Sequence, residues 1–139
     1  MATTRNAVAH WEGTLLEGHG RVSLVSSGVG EFDVTWASRA QTPEGRTSPE
    51  ELIAAAHASC FSMALSSALA KGGTPASALD TSVEVDFQPG QGITEIRISV
   101  AGDVPGLGAE EFAAAATAAK ENCPVSQALR AVPITLTVR

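Results

Sequence analysis

From Leu52 to Ala70 the chain is apolar nearly all round, and this stretch constrains the fold more than any other feature. A helix that is apolar on every side has to be covered on every side. The flanking residues predict its limits. Ser48 is a good N-cap, Pro49 suits the first helical position and Glu51 completes a capping box, while Gly72-Gly73 predicts the stop. At roughly 1.5 Å per residue such a helix is about 35 Å long, the diameter of a small domain. A chain of 139 residues has the size of one ordinary domain and has little left with which to enclose it. A second subunit is therefore expected to help, and the Ala and Ser residues along the helix permit a close approach.

The rest of the chain reads as strands and shorter helices. Within residues 1–39, the runs His10-Trp-Glu-Gly13, Arg21-Val-Ser-Leu-Val-Ser26 and Glu31-Phe-Asp-Val-Thr-Trp36 alternate apolar with polar, and Gly18, Gly20, Gly28 and Gly30 punctuate them. This predicts a meander of short antiparallel strands. A polar loop from Ser38 to Arg46 follows, carrying Arg39 and Arg46. Thr81–Phe87 and Ile93–Val100 alternate on either side of the turn Gln88–Gly92, which predicts a hairpin. A second, Ala-rich helix is expected from Ala109 to about Asn122; it breaks at Pro124, restarts over Val125–Arg130, and gives way to a closing strand at Ile134–Val138. The order of elements predicts a single α+β domain over residues 1–139 rather than a βαβ repeat.

Charge and composition exclude several functions. Nine basic against fifteen acidic residues leave a net charge of −6, which removes the footprint that nucleic-acid binding needs. The first ten residues hold no apolar core of signal-peptide length, and nowhere do eighteen apolar residues run together without a polar one, so no membrane partner and a cytoplasmic location are expected. Two cysteines are too few for a secreted disulfide scaffold, and in a reducing compartment a bond between them would be transient and chemical.

Each cysteine has two readings. Cys60 lies mid-helix, one turn beyond His57, where free cysteine packs as a small hydrophobe. The charge near the helix start, from Glu50 and the arginine-bearing loop, raises the alternative, since a guanidinium beside a buried thiol favours the reactive thiolate. Cys123 stands before Pro124; if a helix restarts there, its free N–H groups favour an anion at Cys123. Spacing alone does not pair them. His57, Cys60, Cys123 and a carboxylate match no standard zinc pattern, and His10 and His19 carry no pattern at all. Neither a Gly-x-Ser-x-Gly elbow nor a phosphate loop is present. Two rival readings stay open: a cysteine-dependent hydrolase or acyl-transfer enzyme using Cys60 and His57, and a non-catalytic dimer whose cysteines only pack.

Thr47-Ser-Pro-Glu-Glu-Leu-Ile-Ala-Ala-Ala-His-Ala-Ser-Cys-Phe-Ser-Met-Ala-Leu-Ser66 and Asn122-Cys-Pro-Val-Ser-Gln-Ala-Leu129 together resemble the OsmC/Ohr family, within it the OsmC branch. His10-Trp-Glu-Gly13, Val104-Pro-Gly106 and the closing strand also look like that branch, so the likeness spans essentially the whole chain. The resemblance implies an intertwined homodimer with two long central helices packed between antiparallel β-sheets. It implies a thiol peroxidase of oxidative or osmotic stress defence that reduces organic hydroperoxides and hydrogen peroxide. Cys60 matches the attacking cysteine, Cys123 the resolving one, and Glu50 the carboxylate that holds the active-site arginine. Arg39 matches that arginine best, with Arg46 second and Arg21 third. No metal or organic cofactor is implied, only an external thiol or dithiol reductant.

Overall fold

In the computed structural model, which describes residues 1–139, the first alternating runs become three short strands. These are β1 (Val8–Glu12), β2 (His19–Ser23) and β3 (Glu31–Val34), joined in that order as an antiparallel meander. They belong to the first of two units, Met1–Glu50 and Glu51–Arg139. Trp11 stands opposite Gly20, where a Cβ would lie 2.6 Å from the indole ring; only glycine lets the ring cross β2 so closely. Most apolar side chains of this unit stay uncovered, Leu16 at 75% and Val29 at 74% exposure among them.

The expected third strand ends two residues early. Trp36 opens a short helix, α1 (Trp36–Ala40), in place of the extended run and the start of the polar loop. Thr35 caps it: its hydroxyl accepts from the Ser38 N–H, and the Ser38 hydroxyl accepts in return from the Thr35 N–H. Ser38 also donates to the carbonyl of Thr47 at 2.9 Å, so one buried hydroxyl ties α1 to the end of the loop.

The long helix, α2 (Pro49–Lys71), begins at Pro49 and ends before the glycine pair as expected. Gly73 takes a left-handed φ of 87°, and the Thr74 and Gly73 N–H groups return to the carbonyls of Leu69 and Ala70. This is the hydrogen-bond pattern of a Schellman stop. The single chain covers only part of it. Within the single chain the helix buries one stripe, His57, Phe61, Leu65 and Leu69, while Met63 on another face is 72% exposed. By length and composition α2 could also cross a membrane, a test that the core helix of a soluble protein passes as well.

In the second unit β4 (Ala78–Gln88) and β5 (Gly92–Asp103) form the hairpin, longer at both ends than its alternating core. The closing strand β6 (Ile134–Val138) pairs with β5 in parallel, Ile96 facing Ile134 and Val100 facing Val138. The second sheet is thus mixed rather than antiparallel throughout. The chain leaves β5, passes through α3 (Ala109–Asn122) and α4 (Pro124–Ala128), and re-enters beside β5 in the same direction, as a crossover connection permits. Ile96, Ile98 and Val100 of β5 are fully buried, and the core gathers Ile98 and Val100 with Phe61, Leu65 and Leu69 of α2 and Phe112, Ala116 and Ala119 of α3. Gly102 lets the Phe112 ring settle on the sheet, since a Cβ there would lie 2.6 Å from it.

Candidate active site

Cys60 comes from the middle of α2 and Cys123 from the joint between α3 and α4. Pro124 creates that joint. Having no N–H to continue α3, it becomes the first residue of a new helix, and Cys123 is left as the C-cap of one helix and the N-cap of the next. The Cys123 N–H closes α3 on Ala119 at 2.8 Å, and its carbonyl accepts from Gln127 at 3.0 Å to open α4. This double anchoring fixes the Cys123 side chain, which is fully buried. Its Sγ donates a hydrogen bond to Sγ of the half-buried Cys60 at 3.0 Å, and both thiols are free.

One turn away on both elements lies a second contact. His57 Nε2 and Ser126 Oγ are 2.7 Å apart, and His57 is wholly buried. His57 precedes Cys60 by three residues and Ser126 follows Cys123 by three, so the pairs are successive rungs between antiparallel elements. The other ring nitrogen, Nδ1, is buried without a partner. Burial pushes the His57 pKa below the ordinary histidine value, so the ring stays neutral. Neither ring nitrogen has a hydrogen bond to Cys60, as the nucleophile–base pairing of Cys60 with His57 would require.

Burial also sets Cys60. It pushes the thiol pKa up, the Cys123 side chain pushes the same way, and a hydrogen bond from the Val125 backbone pulls it back. The free N–H at the start of α4 therefore serves Cys60, not Cys123 as the sequence reading had it. Inside residues 51–139 these effects leave Cys60 less acidic than an ordinary thiol.

In the first unit Arg39, at the end of α1, meets Glu50. Arg39 Nε donates to both carboxylate oxygens at 3.1 and 3.2 Å, and Nη2 donates to Oε1 at 2.8 Å. Glu50 is 6% exposed. Of the two reserve arginines, Arg21 is occupied by Glu31 and Asp33 on the exposed face of the meander. Arg46 closes a turn through its backbone N–H to Pro43. Sequence reasoning missed Ser126 and the Val125 backbone; the signal for Ser126 was its spacing from Cys123, which mirrors that of His57 from Cys60.

Two touching thiols, one on a long helix and one at a proline-made helix joint, within a two-sheet α+β frame, define a dithiol protein. The model of the family described as "OsmC-like protein" matches residues 42–137. The chain belongs to this OsmC-like family. Peroxiredoxin OsmC of Escherichia coli (strain K12) is 40% identical over 134 residues, 94% of this chain and 93% of that protein. Peroxiredoxin OsmC of Shigella flexneri is equally similar. Among solved structures, an organic hydroperoxide resistance protein OsmC from Legionella pneumophila matches with a TM-score of 0.73 at 27% identity, over 99% of this chain and 98% of that one. The organic hydroperoxide resistance protein OhrB of Bacillus subtilis matches with a TM-score of 0.70 at 25% identity and the same coverage.

Proposed function

We propose that this chain is a thiol-dependent peroxidase that reduces organic hydroperoxides, and hydrogen peroxide with them, through Cys60 and Cys123. The observation that carries the reading is the 3.0 Å contact between the two sulfurs. The Cys60 thiolate attacks one peroxide oxygen; the O–O bond breaks, an S–O bond forms, and the alkoxide leaves as alcohol after taking a proton. Cys60 is then a sulfenic acid. Cys123 attacks its sulfur, the S–S bond forms as the S–O bond breaks, and the departing hydroxide leaves as water with the Cys123 proton. Closing from 3.0 Å to the disulfide length of about 2.05 Å asks for a movement of about 1 Å. An external thiol or dithiol returns the two electrons, and neither metal nor organic cofactor takes part. The names of the relatives, a peroxiredoxin and organic hydroperoxide resistance proteins, support the substrate class.

Cys60 is held above the ordinary thiol range by burial, so the reaction needs a cation to favour the thiolate. Arg39, oriented by Glu50, takes that role and hydrogen-bonds the peroxide oxygens as charge moves to the leaving alkoxide. The apolar cluster against which Cys60 packs suits the hydrocarbon part of an organic hydroperoxide. The working form is a homodimer in the cytoplasm, in oxidative or osmotic stress defence. The uncovered face of α2 around Met63 and the open apolar residues of the first unit support the dimer.

Mass spectrometry after a single equivalent of cumene hydroperoxide tests the reading. Loss of two hydrogens, with the Cys60 and Cys123 peptides joined, is expected. Unchanged thiols overturn it.

A further inference from the structure

The His57–Ser126 contact has no part in the chemistry described above, yet it lies one helical turn from the two sulfurs. Ser126 is the one residue of α4 whose side chain makes a hydrogen bond, and α4 is only five residues long. Its hold on α2 through polar groups thus rests on this bond and on the Val125 backbone at Cys60. The pair is sealed, His57 at 0% exposure and Ser126 at 5%. Stability alone does not account for it. A buried ring with one nitrogen left without a partner costs more than an apolar side chain of the same shape. What the histidine supplies, and an apolar residue cannot, is a directed bond that fixes the register of α4 on α2.

We propose that His57 and Ser126 are positioning residues for the resolving step, holding α4 in the register that keeps the Cys123 sulfur against Cys60. The inference rests on the peroxidase reading. It assigns the pair to one half-reaction, the attack of Cys123 on the Cys60 sulfenic acid, which forms the S–S bond and releases water. Cleavage of the peroxide uses the Cys60 sulfur, carried by α2, and not Cys123; α4 reaches that step only through the Val125 backbone at Cys60, so it depends less on where α4 lies. A misplacement of about 1 Å is enough to slow a reaction by up to about a hundredfold, and the rung one turn away controls displacements of that size.

Stopped-flow kinetics with cumene hydroperoxide separates the two steps, because sulfenic acid formation scales with peroxide concentration and disulfide formation does not. In Ser126→Ala the second step is expected to slow at least about tenfold more than the first, with the lingering sulfenic acid trapped by dimedone. Ser126→Thr, which restores a hydroxyl, should recover most of the rate. His57→Leu removes the bond and the orphaned nitrogen together, so it should melt no lower than the wild type and still resolve slowly. A folded Ser126→Ala or His57→Leu chain that forms its disulfide at the wild-type rate overturns the inference, as does equal slowing of both steps. Should the wild-type protein form neither sulfenic acid nor disulfide, the peroxidase reading falls and takes this inference with it. Wild-type rates in the variants remove the inference alone.

Discussion

Arg39 grips the Glu50 carboxylate with three hydrogen bonds of 2.8 to 3.2 Å, although Glu50 has almost no contact with solvent. A carboxylate so placed depends on its partner, because a buried charge left alone keeps the cost of desolvation without the compensating attraction. Arg39→Ala is expected to lower stability by about 1–3 kcal/mol, less than the roughly 3–5 kcal/mol of a fully buried pair because the arginine is itself a third exposed. Glu50→Gln, which leaves no stranded charge, should cost less. Urea midpoints decide the order, and the reverse order would contradict the pairing. Arg39→Ala should also lower kcat/KM for cumene hydroperoxide by about tenfold or more.

Replacing Cys123 separates the two sulfurs chemically. The Cys123 side chain helps to push the Cys60 thiol up, so Cys123→Ser should let Cys60 ionise at lower pH, read from the ultraviolet absorbance of the thiolate. The variant should reduce one peroxide per subunit and stop, with a persistent sulfenic acid at Cys60. Sustained turnover with a monothiol reductant at the wild-type rate would remove Cys123 from the mechanism.

His57 makes stability depend on pH in a direction that can be worked out. Burial lowers its folded pKa below the ordinary value of 6.5, so between those two values the unfolded chain binds the proton and the folded chain does not. Its contribution is complete above about pH 6.5 and is lost as pH falls through the folded value. The urea midpoint should drop between pH 7.5 and pH 5.5, and His57→Gln should flatten that drop. An unchanged slope in His57→Gln would refute the assignment.

The uncovered face of α2 predicts where association is sensitive. Met63 is 72% exposed in the single chain, on the same helix whose other stripe is sealed. A charge there is hard to bury against a second copy, so Met63→Glu should shift the mass measured by light scattering from dimer to monomer while leaving far-ultraviolet circular dichroism unchanged. A wild-type chain that runs as a monomer at micromolar concentration would sink the dimer reading.

Local signals carried most of the secondary structure. The end of α3 at Asn122, the restart at Pro124 and the strand Ile134–Val138 were readable because proline chemistry and period-two alternation act within a few residues. The helix α1 escaped because its cap is a Thr35–Ser38 pair, not the Ser/Thr-to-Glu/Gln pattern of the usual capping box. Of the candidate site, the motifs around Cys60 and Cys123 offered both cysteines and Glu50, and the loop before the long helix offered Arg39 ahead of Arg46 and Arg21. Nothing in them gave the direction of β6 against β5.

The sequence by itself determined a long helix with a cysteine near its centre, a second cysteine at a helix break, and the strands around them, since each follows from periodicity, capping and turn chemistry along the chain. Only the tertiary structure decided what the cysteines touch. Cys60 and Cys123 are brought to 3.0 Å, His57 turns to Ser126, and the Val125 N–H points at Cys60 instead of Cys123. Those contacts join residues more than sixty positions apart. They depend on how α4 is laid against α2 around a shared core, a packing outcome that no local pattern encodes.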